Sequence, residues 1–409
     1  MAVHGVIVAL TGDLEARACA ELDQAPELSV VSRCADLVEA EAAAQSGLGS
    51  VVVVMEQPSL TRSVVQAMAG CVVVAVAADR DGAARLQALG IAHVLTTTDP
   101  GPLVEGVLAA VSQPAVRSSP QVARPADAGR GRMMAVWGPT GAPGRTTVAV
   151  NVGAELAARG LETLVIDADT YGGAVAQACG LLDEAPGLVA VARACAAGTA
   201  EPALIDMHAH RVGPGLRVLA GISRPQRWPE VPGVALDVVW ELARRCADVV
   251  VVDAGFGLDQ DEELTFDTRA PQRHGATLSA LAAADTVVAV GSAEPVSVQR
   301  LIQGLETLRQ VVPHDPVVVV NRVRPEVAGP QPEQTLADAL VRYAGVSEAF
   351  MLPWDPRSAD AATLSGQTLA ERVPRSRLRK AVAGVAAALD EGLPAPARNT
   401  SIAAPLLTH

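Results

Sequence analysis

From residue 4 to residue 112 the chain alternates short apolar runs with stretches whose apolar residues recur at helical spacing. The runs Gly5–Leu10, Leu28–Ser32, Ser50–Met55, Val72–Val76 and His93–Thr96 are expected to be strands. Between them, Leu14–Leu22 and Leu60–Met68 line up their apolar residues as helices do. Five β-α units in series predict a parallel, doubly wound sheet.

The segment SQPAVRSSPQVARPADAGRGR, Ser112 to Arg132, breaks the periodicity with Pro, Ser, Gly, Ala and Arg and reads as a linker. Alternation resumes at Met133 and runs to about residue 393. Strands are expected at Met133–Trp137, Glu162–Ile166, Leu216–Leu219, Asp248–Val252, Thr286–Val290 and Pro316–Val320. Helices are expected at Thr146–Ala158, Leu236–Arg245, Ser297–Val311, Gln334–Tyr343 and Arg375–Asp390. The expected organisation is a first domain over 1–113, a linker over 114–132, a second domain over 133–395 and a loose tail over 396–409.

Composition narrows the function classes. A chain of 409 residues, 50% hydrophobic and 19% charged, is folded and long enough for two or three domains. A formal charge of -13 argues against a surface that wraps nucleic acid, and 2% aromatics are too few for base-stacking platforms or a ring-lined sugar cleft. Apolar runs fall far short of the roughly 20 residues needed to cross a bilayer. The start, MAVHGVIVAL, lacks the pattern of a secretory signal, and six dispersed cysteines without a C-x-x-C pair suit a reducing compartment. A cytoplasmic location is expected.

Candidate chemistry begins after Trp137. GPTGAPGRTT, Gly138 to Thr147, lies between an expected strand and an expected helix. In that context backbone N–H groups and the helix N-terminus point at an anion. The usual phosphate loop reads G-x-x-x-x-G-K-[ST]. Here Pro139 takes the first Gly position, Gly144 the second, Arg145 the lysine position and Thr146 the Mg²⁺-ligand position. Arg145 keeps the charge in a bulkier planar fork. Pro143 removes a backbone N–H from the cradle, and one lost hydrogen bond to a charged group costs about 1.5–3 kcal/mol.

Three further signals follow the loop. LETLVIDADTYGG ends an expected strand in Asp167-Ala168-Asp169, where carboxylates hold Mg²⁺ through water or orient an attacking water. ADVVVVDAGFG runs four valines into Asp253, as a second metal-orienting acid requires. PVVVVNRVRP puts Asn321 past a strand end, where an amide reads a base edge or caps a turn.

On these residues the chain resembles the MinD/ParA superfamily of deviant-Walker ATPases. Within it, the chain is similar to the CpaE/TadZ-like branch, including the actinobacterial septum-site-determining (Ssd) CpaE-like proteins. The resemblance spans Val6 to Val111 and Met133 to about Leu389 and rests on GPTGAPGRTTVAVNVGAELAARG, TLVIDADTYGG, ADVVVVDAGFG, VVVVNRV and LPWDPRSADAATLSGQTL. It implies an α/β protein: a receiver-like (βα)5 domain followed by a P-loop, SIMIBI-type domain with a doubly wound, mainly parallel sheet. It further implies ATP and Mg²⁺ as cofactors. Gly141 and Gly144 would shape the loop, Arg145 would face the phosphates, Thr146 would ligate Mg²⁺ and Thr147 would touch the α-phosphate. Asp167 and Asp253 would hold the metal directly or through water, and Asp169 would be the catalytic acid. Asn321 would read the base, with Asp355 near the adenine.

The departures carry equal weight. The family's signature lysine falls at Thr140 and its second lysine at Arg145, and Lys380 is the only lysine in the chain. A phospho-accepting receiver needs an acidic pair, an Asp and a Lys at three strand ends. The matching positions are Thr11-Gly12-Asp13, Glu56-Gln57 and Thr96-Thr97-Thr98, so the first domain reads as a docking module. The expected function is spatial regulation of septum placement and cell division, or of pilus or secretion-apparatus positioning, with weak or no hydrolysis. Expected partners are proteins of the division or secretion machinery and a second copy of the chain, with recruitment to septum, pole or inner membrane face. A membrane surface and nucleic acid rank lower. The alternatives are an active Mg-ATPase with Arg145 replacing lysine and a ParA-like DNA binder using Arg322, Arg324 and the arginines near the C-terminal helix.

Other signals read as structural. Asp206, His208 and His210 lack a completing metal ligand and read as a polar loop. Asp259, Asp261, Glu262 and Glu263, with Arg269 and Arg273, read as a solvated insertion. The helix from Arg375, with Leu378, Val382, Val385 and Leu389 on one face and Arg375, Arg377, Arg379 and Lys380 at its start, reads as packed on the sheet rather than laid on a membrane.

Overall fold

The computed structural model describes residues 3–97, 99–112, 130–181, 186–259 and 272–391. The chain forms two compact units, Met1–Arg124 with Arg193–Ala200, and Pro125–Ala192 with Glu201–His409. Most of the expected linker, the whole expected tail, and Thr98, Asp261, Glu262, Glu263 and Arg269 lie outside the described residues.

In the first unit, β1 (His4–Ala9), β2 (Leu28–Arg33), β3 (Val51–Met55), β4 (Val72–Val76) and β5 (His93–Leu95) form a parallel sheet. Its order is β2-β1-β3-β4-β5. Helices cover both faces, which is why β3 is an unbroken apolar run of four valines and a methionine. Ile7, Val52, Val54 and Ala75 pack on one side with Leu37 and Leu86, and Val6, Val8, Val53 and Val74 on the other with Leu14, Leu103 and Val107. Asp36 and Asp79 start two of the helices by accepting the Glu39 and Gly82 N–H groups at 2.9 and 2.8 Å. Glu56, just past β3, accepts the Ala78 N–H at 3.3 Å.

The second unit holds an eight-stranded sheet in the order β13-β12-β11-β6-β10-β7-β9-β8. Its strands are β6 (Arg132–Trp137), β7 (Thr163–Ala168), β8 (His210–Gly213), β9 (Leu216–Leu219), β10 (Val249–Ala254), β11 (Thr286–Ser292), β12 (Val317–Val323) and β13 (Ala349–Pro353). All neighbours are parallel except β8 and β9. β8 and β13 were not among the expected strands. His208 ends a helix, Pro202–His208, and His210 opens β8, so the expected polar loop is a helix-to-strand junction. Helices Gly187–Ala197, Gly275–Ala283 and Pro356–Ser365 are also additional to the expected set.

Arg132, placed in the linker by composition, is the first residue of β6 and is 6% exposed. Its guanidinium reaches Asp390 at 3.2 Å, and Arg159 reaches the other oxygen at 2.8 Å. The Arg159 guanidinium, with help from Arg132, holds the Asp390 carboxyl below the usual carboxylate range against the opposing effect of burial. Asp390 belongs to helix Arg377–Glu391, whose Leu378, Val382, Val385 and Leu389 join the core with Val148, Val152 and Leu156 of helix Arg145–Ala158. Arg379 adds a forked pair to the buried Glu155 at 2.7 and 2.8 Å. The apolar face of this helix is therefore core. Among the described residues, no helix is long and apolar enough to cross a membrane.

Candidate functional site

The strand order reverses at β6, with β11 on one side and β10 and β7 on the other. Ligands of open α/β sheets sit at the carboxyl ends of strands at such a reversal. Here β6 runs into Gly138–Thr147. Gly138 lies against the β11 backbone, where a Cβ would stand 2.3 Å from the Val290 carbonyl oxygen. Gly144, at φ 105°, caps helix Arg145–Ala158 in the left-handed region, which only glycine enters without strain. A cavity of about 390 Å³ opens there, lined by residues 142–147 with Asp169, Tyr171, Gly172 and Phe256.

Parallel register places the acids. Asp253 of β10 pairs with Asp167 of β7, so two carboxylates stand side by side, 0% and 3% exposed. Asp167 accepts the Asp169 and Val175 N–H groups at 3.2 and 3.1 Å. Burial pushes its carboxyl up to about 7; the Asp169 charge adds to the rise, and the two backbone hydrogen bonds oppose it. Burial likewise holds Asp253 well above the usual range, with the Asp167 charge as the next cause.

The loop residues meet these acids. Thr146 Oγ1 donates to Asp253 Oδ2 at 2.6 Å, and Asp253 Oδ1 is buried without a hydrogen-bond partner. An orphaned buried carboxylate oxygen beside a threonine hydroxyl and a second acid is an oxygen donor set of the kind Mg²⁺ takes, so the residues fit the ion. The Arg145 guanidinium, which lines the cavity, is already engaged by the protein. Its Nη2 donates to Asp169 Oδ2 at 2.9 Å, and its Nη1 reaches the Gly138 carbonyl at 3.4 Å. The other oxygen of Asp169 accepts the Tyr171 and Gly172 N–H groups at 2.8 and 3.1 Å.

Gly144, Arg145, Thr146, Thr147 and Asp169 thus share the cavity, and Asp167 and Asp253 lie behind it. Gly141, at φ 72°, is at the loop's exposed edge. Asn321 and Asp355 do not line the cavity. Asn321 Nδ2 donates to the Pro143 carbonyl at 3.1 Å and Oδ1 accepts the Arg322 N–H at 2.8 Å, so the amide braces the loop. Asp355 caps helix Pro356–Ser365 through the Ser358 N–H and hydroxyl at 3.2 and 2.6 Å. In this conformation both side chains are engaged by the protein rather than presented to a base.

A cluster that sequence reasoning did not assemble borders the cavity. The Tyr171 ring lies 4.7 Å from Phe256 and 5.6 Å from His274, and the Arg273 guanidinium is 3.6 Å from its centroid. Arg273 also donates to the Thr170 hydroxyl and carbonyl at 2.8 and 3.0 Å, so it belongs to the site rather than to a solvated insertion. The available signal was scarcity: Tyr171 is one of only 2 tyrosines.

A family model described as the CobQ/CobB/MinD/ParA nucleotide binding domain matches residues 134–364. Among solved structures, the ParA family ATPase from Chlorobium tepidum TLS is 17% identical, covers 64% of this chain and 100% of its own, and superposes with a TM-score of 0.54. The septum site-determining protein MinD from Pyrococcus horikoshii OT3, complexed with Mg-ADP, is 18% identical over 64% of this chain and 96% of its own, with a TM-score of 0.50. Apo McdA from Cyanothece is 18% identical over 63% of this chain and 99% of its own, also with a TM-score of 0.50. At these identities the likeness concerns fold. No curated protein sequence matches the chain.

Proposed function

The chain belongs to the CobQ/CobB/MinD/ParA family of nucleotide-binding domains, and from that premise we propose that it is a CpaE/MinD-like spatial regulator with a degenerate ATP site. The carrying observation is the split state of the loop. Its metal side is assembled, with Thr146 on Asp253 and a buried carboxylate oxygen to spare. Its phosphate side is not, because Arg145 is bound to Asp169 and position 140 is threonine. Nucleotide binding must break the Arg145–Asp169 pair or do without that cation. Either route weakens affinity.

In this reading Gly141 and Gly144 shape the cradle, Thr147 touches the α-phosphate, and Thr146, Asp167 and Asp253 hold Mg²⁺ directly or through water. The ion neutralises phosphate charge when bound. Asn321 and Asp355 serve the base after exchanging their present partners. Asp169 orients water only when Arg145 releases it, so turnover is slow or absent. The first unit, with strand order 2-1-3-4-5 and no phospho-acceptor, acts as a receiver-like docking module.

The biological role is placement of the septum or of a pilus or secretion apparatus, through protein partners and a second copy of the chain. The working location is the cytoplasm, with recruitment to septum, pole or inner membrane face. An active Mg-ATPase is the second reading, favoured by the intact Thr146–Asp253 contact.

Equilibrium titration with Mg-ATP, followed by phosphate release, separates the two. Micromolar or weaker binding with negligible turnover is expected. Submicromolar binding with brisk turnover that vanishes in Asp169→Ala refutes the degenerate reading.

A further inference from the structure

With Arg145 bound to Asp169, the loop needs another source of positive charge if it is to hold an anion. A second guanidinium lies against it. Arg300, from helix Pro295–Val311, donates Nη1 to the Thr140 carbonyl at 3.4 Å. The same Nη1 stands 2.3 Å from where a Cβ on Gly141 would be. Ser297, on the same helix, donates Oγ to the Gly141 carbonyl at 3.3 Å. The helix is thereby docked on the exposed Thr140–Gly141 edge of the loop. Gly141 is held as glycine by its φ of 72°, whereas the Arg300 tip beside it is the movable end of an exposed side chain.

Arg300 differs from the other arginines around the strand ends. Arg324 pairs with Glu294 at 3.0 Å, Arg273 lies on Tyr171, and Arg145 is held by Asp169. Arg300 is exposed and, among the described residues, takes part in no ion pair. Its long contact to a single carbonyl leaves most of its five donors for another acceptor. A guanidinium fork matches the oxygens of a phosphate.

We propose that Arg300 is a phosphate-binding residue of this loop, a cation delivered by a distant helix in place of the charge that Arg145 gives to Asp169. The ligand class is the di- or triphosphate of a nucleotide, so the inference rests on the nucleotide-binding reading above. A phosphate contact acts on the polyphosphate and is indifferent to the base. It also requires charge at this edge of the loop, whichever residue supplies it.

The test is equilibrium binding of Mg-ATP and of inorganic pyrophosphate to the full chain. The proteins compared are wild type, Arg300→Ala, Arg300→Lys and Arg300→Ala with Thr140→Lys, each with a thermal melt. Arg300→Ala is expected to weaken both ligands alike, by about ten- to a hundredfold, with the melt unchanged. Arg300→Lys keeps part of the affinity, and Thr140→Lys restores part of it in the alanine background. Unchanged binding in Arg300→Ala, a loss for ATP without one for pyrophosphate, or a loss that Thr140→Lys does not restore overturns the inference. Wild type that binds neither ligand overturns the nucleotide reading and this inference together, whereas wild-type binding with Arg300→Ala unaffected overturns this inference alone.

Discussion

Replacing Asp167 with asparagine is expected to stabilise the protein above neutral pH. The folded state holds a proton on this carboxyl up to about pH 7, whereas an unfolded aspartate releases it near 3.9. Between those values the folded state binds more protons than the unfolded one, so stability falls as pH rises. The slope is about 1.4 kcal/mol per pH unit for one group. Across a window of roughly three units the loss approaches about 4 kcal/mol by pH 7, and no more is lost above it. Well below pH 4, by about pH 3, both states are protonated and this group's full contribution is present.

Asparagine carries no charge at any pH and so loses the slope. Its amide must still meet the Asp169 and Val175 N–H groups, and one of those contacts becomes donor against donor, at about 1 kcal/mol. Asp167→Asn is therefore expected to match wild type near pH 5 and to exceed it by about 2–3 kcal/mol at pH 8. Asp253 keeps a residual slope, since burial raises it too, though less once its charged neighbour is gone. Urea unfolding at pH 5, 6, 7 and 8 reads both proteins. Wild-type stability that rises from pH 5 to pH 7, or an asparagine variant with the wild-type slope, refutes the argument.

Gly144→Ala puts a Cβ 2.2 Å from Asn321 Nδ2 at a φ of 105°, and thermal melts should show a loss of about 1–3 kcal/mol. Adding Asn321→Ala should recover only the clash, and a fully stable Gly144→Ala contradicts the loop geometry. Arg379→Ala strands Glu155, which is 5% exposed, and should lower stability by about 3–5 kcal/mol; changing both residues together to a glutamine and a methionine should be milder. A harmless Arg379→Ala would contradict the packed placement of helix Arg377–Glu391. A double-mutant cycle on Arg145→Ala and Asp169→Asn should give a coupling of about 1–3 kcal/mol, and additivity would mean that the pair is not formed in solution.

Strands buried on both faces announce themselves, because a parallel sheet under two helical layers needs a continuous apolar run, and valine runs at 51–54 and 249–252 are β3 and β10. β8 and β13, the two edge strands, were illegible for separate reasons. HRVG is short and mixed, and AFMLP sits at a sheet edge and ends in proline. Helix Gly187–Ala197 is apolar around most of its circumference and lacks the stripe that periodicity detects.

In the site, Asp167, Asp253 and Thr146 were readable because strand ends and helix starts are local features. The partners of Arg145, Asn321 and Arg273 were not. Each is set by which strands the sheet makes neighbours, and Asn321 reaches the Pro143 carbonyl only because β11 lies between β12 and β6.

Helix Arg377–Glu391 also has a bearing on the order in which the chain is made. It covers apolar residues of helix Arg145–Ala158 that leave the ribosome more than two hundred residues earlier. Until the late helix emerges, Val148, Val152 and Leu156 have no final cover. The five strands of the first sheet are all synthesised by Leu95 and carry no such dependence on the late helix. During synthesis, then, the nascent second sheet is the part that exposes apolar surface longest and most needs chaperone protection.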